Sequence, residues 1–437
     1  EVNIKILLNA CVAAGELTVP DRNEFLASMT DEVAELVLDD NQAQTLALVM
    51  ARKQSLAMAN VHARYIHALE SEGSLDRGLE FLPTDRQLAE RQASGIGLTT
   101  PEFAVLLAYT KNVDAQEILA SALPDDPYLR DDLVRYFPVP MRERYATEIE
   151  RHQLRREIIT TQIVNQMVNL SGTSFAHRSV EQSGADITDI ARAWIAARDI
   201  TGLPALWQAI DELGADASGG AVKLDVRTDL LLDARRMTER VVLWLLRHRR
   251  APIDLVSAVE HFRDPLALLA RRYPDLMTSQ LKARIHSVWA GRLAAGVPEG
   301  VAERASVWPF LHTAFDVIDI AHRAEADLVA TATLYWQVFD RLDALWLWDG
   351  IGGLPRSTRW ETQARSALRD DLASGLAGLT EEVLRSALGL DAWLVANEAS
   401  VERVSALFAE VRRGDTVDLT TLTVGLRQLR NLALATH

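Results

Sequence analysis

Apolar residues recur every three or four positions along most of this chain, which is the spacing of a helix with one buried face. The clearest example is a helix predicted over about residues 223–249. Its apolar positions step by four, three, four and four: Leu230, Ala234, Met237, Val241 and Leu245. Only residues 2–8 offer a candidate strand, because no other segment of useful length alternates between apolar and polar residues. The pattern therefore predicts an all-α fold.

Prolines and glycines separate the other predicted helices, because proline is excluded from helix interiors but tolerated at their first turn. These helices are residues 41–70, 85–94, 101–121, 127–136, 140–170, 186–198, 204–214, 253–262, 278–295, 299–306, 310–339, 359–372 and 380–388, with two more at the C-terminus. The glycine-rich stretch 212–221 is the most linker-like, and 348–355 is the second clear break. We expect three segments, 1–75, 76–212 and 223–437, of which the last two form helical subdomains.

Length and charge narrow the class of protein. A chain of 437 residues can form one to three domains with a sizeable core. Its 46 basic and 61 acidic residues give a net charge of −15, which argues against a nucleic acid or an anionic membrane as partner. The longest apolar runs, such as 103–109, are too short to span a bilayer, and we expect no signal peptide. Since Cys11 is the only cysteine, no internal disulfide can form, and we expect a cytoplasmic protein.

The first residues already show helical spacing. The chain opens at Glu1 without a methionine, and Ile4, Leu7 and Leu8 follow at once. A natural start usually has a capping residue or a polar lead. We therefore expect a fragment of a longer chain; the alternatives are a mature chain after processing, or a chain whose disordered first residues are left out.

The segment Gly95-Ile96-Gly97-Leu98-Thr99-Thr100 is similar to the start of a dinucleotide-binding turn. Such a turn needs a preceding strand and a third glycine, so that the pyrophosphate can reach the next helix. Here a predicted helix precedes the segment, and a threonine stands at the third glycine position. We interpret it as a helix–helix connection in which Thr99 or Thr100 caps the second helix, ahead of Pro101 and Glu102.

The histidines do not show the spacing of a metal site. His62 and His67 are five residues apart, whereas a zinc pair on one helix face needs a spacing of three or four. His152 lies among three arginines, which disfavours a cation. We expect polar residues at the surface or at an interface, and no metal ligand.

The basic run at residues 247–250 could attract phosphate or nucleic acid. It also ends the predicted helix 223–249, where positive charge interacts favourably with the helix dipole. Acidic residues interleave with the arginines that precede it. We expect a solvated, ion-paired face; the alternative is a site for an acidic regulator or a carboxylate.

Five aromatic residues cluster near the second break: Tyr335, Trp336, Phe339, Trp346 and Trp348. A stacking platform for nucleic-acid bases also needs basic residues, but only Arg341 is near and three aspartates oppose it. Core packing is the first interpretation, and a subunit or inter-domain contact is the second. No nucleophile is nominated, because Cys11 lies on an apolar helical face where cysteines are usually inert.

Many short strings occur in a fixed order along the chain. They are residues 1–9, 21–23, 29–34, 77–83, 95–111, 123–128, 136–138, 151–159, 172–178, 244–247 and 360–361. This series resembles the C-terminal region of the large bacterial NAD-specific glutamate dehydrogenases. The matches are dense from Glu1 to about Pro265 and sparser beyond.

The resemblance implies that the substrate lysine, the catalytic aspartate and the glycine-rich dinucleotide turn of the family all precede this region. No catalytic, cofactor-binding or metal-binding residue can therefore be assigned here. The complete enzyme would oxidise L-glutamate with NAD, whereas this chain alone would be inactive and would not bind NAD. Residues 1–75 would pack on the catalytic domain, and the expected partners are that domain, further copies of the chain, and a regulatory protein or small-molecule effector. The alternative is a stand-alone helical scaffold that binds a protein partner.

Overall fold

The computed structural model describes residues 1–214, 221–413 and 417–434. These residues form twenty-four α-helices and three short 3₁₀-helices, with no strand among them. The predicted all-α fold is confirmed, and the candidate strand at residues 2–8 is helical. None of the described helices has both the length and the apolar composition needed to cross a lipid bilayer.

The helices form two compact units. Unit 1 comprises Glu1–Ala196 and Leu246–Val256, and unit 2 comprises Ala197–Leu245 and Ser257–His437. The predicted three-segment division stays a prediction. Residues 215–220 of the predicted linker lie outside the described residues.

Unit 1 is built mainly from the first twelve helices. They are α1 (Val2–Ala13), α2 (Val19–Ser28), α3 (Thr30–Lys53), α4 (Ala59–Ser71), α5 (Asp85–Ala93), α6 (Thr100–Ala120), α7 (Arg130–Tyr136), α8 (Val139–Arg144), α9 (Ala146–Glu150), α10 (Arg155–Ser171), α11 (Phe175–Ser183) and α12 (Ile187–Thr201). Two 3₁₀-helices, Leu123–Asp125 and Pro127–Leu129, follow α6. Helix α6 packs against α3 and α10, and its Phe103 and Leu106 are fully buried.

Helix α6 begins as the sequence predicts, with Thr99 as its N-cap. The Glu102 carboxylate accepts a hydrogen bond of 2.7 Å from the Thr99 backbone N–H. It also accepts two hydrogen bonds from Arg91 Nη1, at 2.8 and 3.0 Å. These bonds satisfy a backbone donor that the first turn of a helix leaves free, and they join α5 to α6.

The predicted helix 41–70 is interrupted between α3 and α4, and that prediction was wrong. The interruption occurs where Gly97 packs against the backbone of Ser55 and Leu56. A Cβ atom on Gly97 would lie 2.5 Å from the Ser55 carbonyl oxygen and 2.8 Å from the Leu56 nitrogen. Arg52 Nη1 donates to the Leu98 carbonyl at 2.9 Å and fixes the same contact. The glycine is therefore required for close backbone packing.

Substituting Gly97→Ala is expected to destabilise unit 1 by about 3 kcal/mol, because two backbone segments would have to separate to admit one methyl group. Chemical unfolding followed by circular dichroism measures the change. The matched control is Gly78→Ala, whose Cβ would meet only Asp76 Oδ1 at 3.4 Å. We expect the control to stay within about 0.5 kcal/mol of the wild type. Equal stability of the two variants would contradict the packing argument.

The predicted helix 140–170 is also divided, into α8, α9 and α10. His152 lies in the last gap, where its Nδ1 accepts a hydrogen bond from the Leu154 backbone N–H at 3.0 Å. The other ring nitrogen, Nε2, then carries the proton and donates to the Asn3 carbonyl at 3.0 Å. The sequence offered no signal for this side-chain turn, which replaces helical backbone bonds and ties α1 to the start of α10.

Unit 2 contains most of the remaining helices. They are α13 (Leu203–Asp211), α14 (Leu224–His248), α15 (Leu255–Leu276), α16 (Ser279–Ala294), α17 (Glu299–Val307), α18 (Thr313–Arg323), α19 (Leu328–Arg341), α20 (Leu345–Gly353), α21 (Arg359–Ser386), α22 (Leu390–Ala396), α23 (Glu398–Arg413) and α24 (Leu419–Leu434). A third 3₁₀-helix, Glu212–Gly214, follows α13. Helices α12, α14 and α15 have residues in both units.

Several predictions in unit 2 were wrong. The predicted helix 253–262 continues as α15 to Leu276, and most of the predicted break 348–355 is helical in α20. Among the described residues, three helices, not two, follow α21.

The predicted helix 310–339 is divided, because Glu325 has a φ of +49° and Asp327 caps α19 by accepting from the Ala330 N–H at 2.8 Å. Conversely, the predicted helices 359–372 and 380–388 join into α21, which continues through Gly375. That glycine lies against the Leu429 side chain of α24, so a close helix–helix contact replaces the expected break.

Candidate functional site

The segment 95–100 connects two helices, as the sequence analysis predicts. It does not fit a dinucleotide, since Gly97 is already packed against the backbone of residues 55 and 56. Gly95 has a φ of +76°, which suits a residue just beyond the end of α5. The two glycines therefore serve the connection itself.

His62 is buried against the ring of Phe103, with the two ring centroids 4.9 Å apart. Burial, assisted by the positive charge of Arg178, lowers the pKa of His62 to about 3. The imidazole is therefore neutral at ordinary pH. Within the described residues, no group of three or more histidine, cysteine, aspartate or glutamate side chains is arranged to hold a metal ion.

The basic run at residues 247–250 straddles the end of α14. Arg247, His248 and Arg250 are exposed, and Arg247 and His248 occupy the last turn of the helix. Farther back on the same helix, Asp233 pairs with Arg236 at 2.5 Å and with Arg292 of α16 at 2.7 Å. These positions agree with the predicted solvated and ion-paired face.

The aromatic cluster is mainly part of the core of unit 2. Tyr335, Trp336 and Phe339 are buried, and Trp336 makes an edge contact with Tyr273 at 5.4 Å between ring centroids. Core packing is therefore confirmed for these three. Trp346 and Trp348 are half-buried, and their closest ring contacts are with Phe408 at 5.2 Å and Phe310 at 5.3 Å.

Unit 1 contains a buried carboxyl group that is not among the sequence-based predictions. Asp114 of α6 is only 2% exposed, and its Oδ2 has no hydrogen-bond partner among the described residues. One turn earlier, Thr110 accepts from the Tyr65 hydroxyl at 2.8 Å and also bonds to the Leu106 and Thr173 carbonyls. Burial, with the nearby Glu117 carboxylate, raises the pKa of Asp114 to about 8.

The helical spacing contained a signal for Asp114. The residues Phe103, Leu107, Thr110, Asp114 and Ile118 follow one another at intervals of four, three, four and four. All five are buried. A carboxyl group on an otherwise apolar stripe is costly to ionise, so its position alone predicts a raised pKa.

The substitution Asp114→Asn is expected to stabilise the chain more at pH 8.5 than at pH 5.5. The folded-state pKa of the aspartate is about 8, against an unfolded value of about 3.9. Between these two pKa values, the folded chain retains a proton that the unfolded chain releases. The stability that the protonated carboxyl group contributes is therefore lost as the pH rises through the folded pKa. The free energy of unfolding falls by about 1.4 kcal/mol per pH unit between the two pKa values.

Unfolding midpoints at the two pH values measure this difference. The variant Glu143→Gln neutralises an exposed carboxylate of the same unit and serves as the control. The control should retain the pH dependence of the wild type. If Asp114→Asn also retained it, the carboxyl group would not be protonated in the folded chain.

An apolar groove of about 610 Å³ runs between the first three helices. Its lining residues are Glu1, Ile4, Lys5, Leu26, Ala27, Met29, Thr30, Val33, Ala34, Val37 and Leu38. We call this surface the N-terminal groove. Val37 is 54% exposed and Leu38 is 65% exposed, so α3 presents apolar side chains of the groove to solvent. Exposed apolar surfaces of this kind are typical of interaction sites.

The comparison with known families assigns most of the chain. The family model described as "Glutamate dehydrogenase, C-terminal" matches residues 95–431. The chain belongs to this family. Residues 1–51 match a second model, described as "Bacterial NAD-glutamate dehydrogenase, catalytic domain". The N-terminal groove lies entirely within that second match.

Three curated relatives carry the name "NAD-specific glutamate dehydrogenase". Those of Halomonas elongata and Mycobacterium tuberculosis are 36% identical to this chain, and that of Pseudomonas aeruginosa is 35% identical. Each comparison covers 99% of this chain and 27% of the relative. The chain therefore spans about a quarter of the length of the relatives that it matches.

The two matched regions are joined within unit 1. Asn3, in the first region, bonds through its carbonyl to His152 and through its side-chain Nδ2 to the Tyr136 hydroxyl at 2.8 Å. Glu32, also in the first region, accepts from the Val139 backbone N–H at 2.7 Å. The boundary between the two family models is therefore not a boundary of the fold.

Proposed function

We propose that this chain is the C-terminal helical region of an NAD-dependent glutamate dehydrogenase and contributes its scaffold. The observation that carries the proposal is the consecutive match to two glutamate dehydrogenase family models, with the catalytic-domain model first. The complete enzyme oxidatively deaminates L-glutamate to 2-oxoglutarate and ammonia, with NAD as the hydride acceptor. No reacting group is assigned to the residues of this chain.

The remainder of the catalytic domain is the proposed occupant of the N-terminal groove. The support is that residues 1–51 match a catalytic-domain model while the chain spans only 27% of each relative. The groove is lined mainly by aliphatic side chains, with Glu1 and Lys5 at one end. Burying one aliphatic side chain stabilises a contact by roughly 1.5–3 kcal/mol, so several of them suffice to hold a domain in place.

In this proposal the helices that follow the groove affect turnover by holding the catalytic domain in position. The hydrogen bonds of Asn3 and Glu32 connect the groove helices to the helices that follow. A rigid helical base fixes the segment of catalytic domain that rests on it, and domain closure makes such distant helices relevant to turnover. Association with further copies of the chain and binding of a regulator belong to the same proposal.

Dividing the complete enzyme before Glu1 is expected to inactivate both parts. The 437-residue chain should neither bind NAD tightly nor reduce it with glutamate, because segment 95–100 does not fit a dinucleotide. The preceding part should be inactive because its surface that rests on the groove would be exposed to solvent. Absorbance of the reduced cofactor and calorimetric titration with NAD measure these outcomes, and co-expression of the two parts should restore turnover.

Turnover by the 437-residue chain alone would overturn the assignment of the reacting groups to the preceding part. Full turnover by the preceding part alone would overturn the scaffold role. If no preceding part exists in the reading frame, the stand-alone scaffold becomes the better account of this chain.

The variant Val37→Asp in the complete enzyme tests the occupant of the groove. Burying an unpaired carboxylate at the proposed contact should weaken the attachment of the catalytic domain and lower kcat by at least about tenfold, as roughly 1.4 kcal/mol of lost stabilisation would. The matched control is Val395→Asp on α22, since Val395 is 74% exposed and lies outside the groove. Limited proteolysis and activity assays compare the two variants. Equal behaviour would show that the groove is not covered by the catalytic domain.

A further inference from the structure

Four arginine side chains converge in unit 2, and we call them the arginine cluster. Arg240 lies on α14, Arg365 and Arg369 lie one turn apart on α21, and Arg356 precedes α21. The positive charge of Arg365 lowers the pKa of Arg240, and the positive charge of Arg369 lowers the pKa of Arg365. The positive charge of Arg356 lowers the pKa of both arginines of α21. The chain therefore brings together four like charges from three places in its sequence.

The contacts of the cluster are mostly uncharged. Arg240 Nη1 donates to the Pro309 carbonyl at 2.6 Å, and Arg365 Nη2 donates to the Gly352 carbonyl at 2.5 Å. The Nε atom of Arg365 is buried and has no hydrogen-bond partner among the described residues. The Arg369 side chain makes no hydrogen bond or ion pair within the described part of the chain. Several guanidinium donors are thus left without a partner among the described residues.

Carboxylates compensate only part of this charge. Glu239 and Asp233 offset the charge of Arg240, although Arg236 adds a further positive charge beside it. Glu239 and Asp370 offset the charge of Arg369, whereas no carboxylate contributes at Arg365. Burial, together with the neighbouring arginines, lowers the pKa of Arg365 and of Arg369 to about 10. Both side chains are still positively charged at neutral pH. A local excess of positive charge therefore exists in a chain whose net charge is −15.

The cluster is partly exposed and has an aromatic neighbour. Arg240, Arg365 and Arg369 are half-buried, so each side chain is partly removed from solvent. Burial and the charges of Arg240 and Arg369 hold the pKa of His312 well below its usual range, so the imidazole is neutral. The His312 ring lies 5.5 Å from the ring of Trp348, centroid to centroid. A charge interaction is stronger in such a setting than on an open surface.

We propose that the arginine cluster binds a small dianionic oxyanion that carries a phosphate group or two carboxylates. A planar guanidinium offers two parallel donors that match the oxygens of either group, and this geometry makes arginine the usual choice for both. A dianion between these side chains offsets the repulsion among them and uses the free donors. The site requires no catalytic activity, so the proposal stands independently of the dehydrogenase assignment.

Calorimetric titration of the 437-residue chain tests the proposal directly. The probes are inorganic phosphate and succinate, with acetate and chloride at matched ionic strength as monovalent controls, because exposed charges respond to salt alone. We expect saturable binding of at least one dianion and none of the monovalent anions. Preference for phosphate or for succinate identifies the source of the oxyanion. Absence of saturable binding, or an equal response to acetate, overturns the proposal.

The variants Arg369→Gln and Arg365→Gln locate the site. Each should weaken binding of the dianion at least tenfold, while Arg250→Gln should leave it unchanged, since Arg250 is an exposed member of the separate basic run. Without anion, Arg369→Gln should keep or raise the unfolding midpoint, because one repelling charge is removed. With phosphate or succinate, the wild type should gain a rise in midpoint that the variant lacks. A lowered midpoint of Arg369→Gln without anion, or equal weakening by Arg250→Gln, would show that the cluster serves another purpose.

Discussion

The close approach of Gly97 to the backbone of Ser55 and Leu56 is the constraint on which the architecture of unit 1 depends. It sets where α3 gives way to α4 and where the chain turns into α6. Arg52 and Glu102 then fix the two sides of the contact by hydrogen bonds to backbone atoms. Helix α6 is thereby placed against α3 and α10, and its buried stripe becomes the centre of the unit. A single missing side chain therefore has consequences over four helices.

The sequence predicted the class of fold and the positions of most helices, because helical spacing and proline breaks are local signals. The start of α6 at Thr99 followed from its capping residues alone. The divisions at residues 54–58 and 151–154 could not be predicted, because each depends on a partner far along the chain: Gly97 for the first and Asn3 for the second. The joining of two predicted helices into α21 has the same origin, since Gly375 meets Leu429.

The candidate sites were less accessible to sequence analysis than the fold. Asp114 could have been found, since it occupies an apolar stripe at helical spacing. The arginine cluster could not, because Arg240 and Arg369 are separated by more than a hundred residues and each looks like an ordinary surface arginine. The basic run at residues 247–250 is dense along the chain, yet three of its four residues are exposed. Proximity in the fold, and not density along the chain, concentrates positive charge here.

The hydrogen bonds that join Asn3 to His152 and Tyr136 also bear on how such a chain is inherited. Asn3 lies in the region that matches one family model, and Tyr136 and His152 lie in the region that matches the other. A genetic exchange at the boundary between the models would therefore separate partners that fold together. A new combination would leave the Asn3 carbonyl without the His152 ring, or the Tyr136 hydroxyl without the Asn3 side-chain amide, in a partly buried place. Such exchanges are selected against unless both sides change in concert. The two regions are therefore expected to pass from ancestor to descendant as one unit, although sequence comparison divides them.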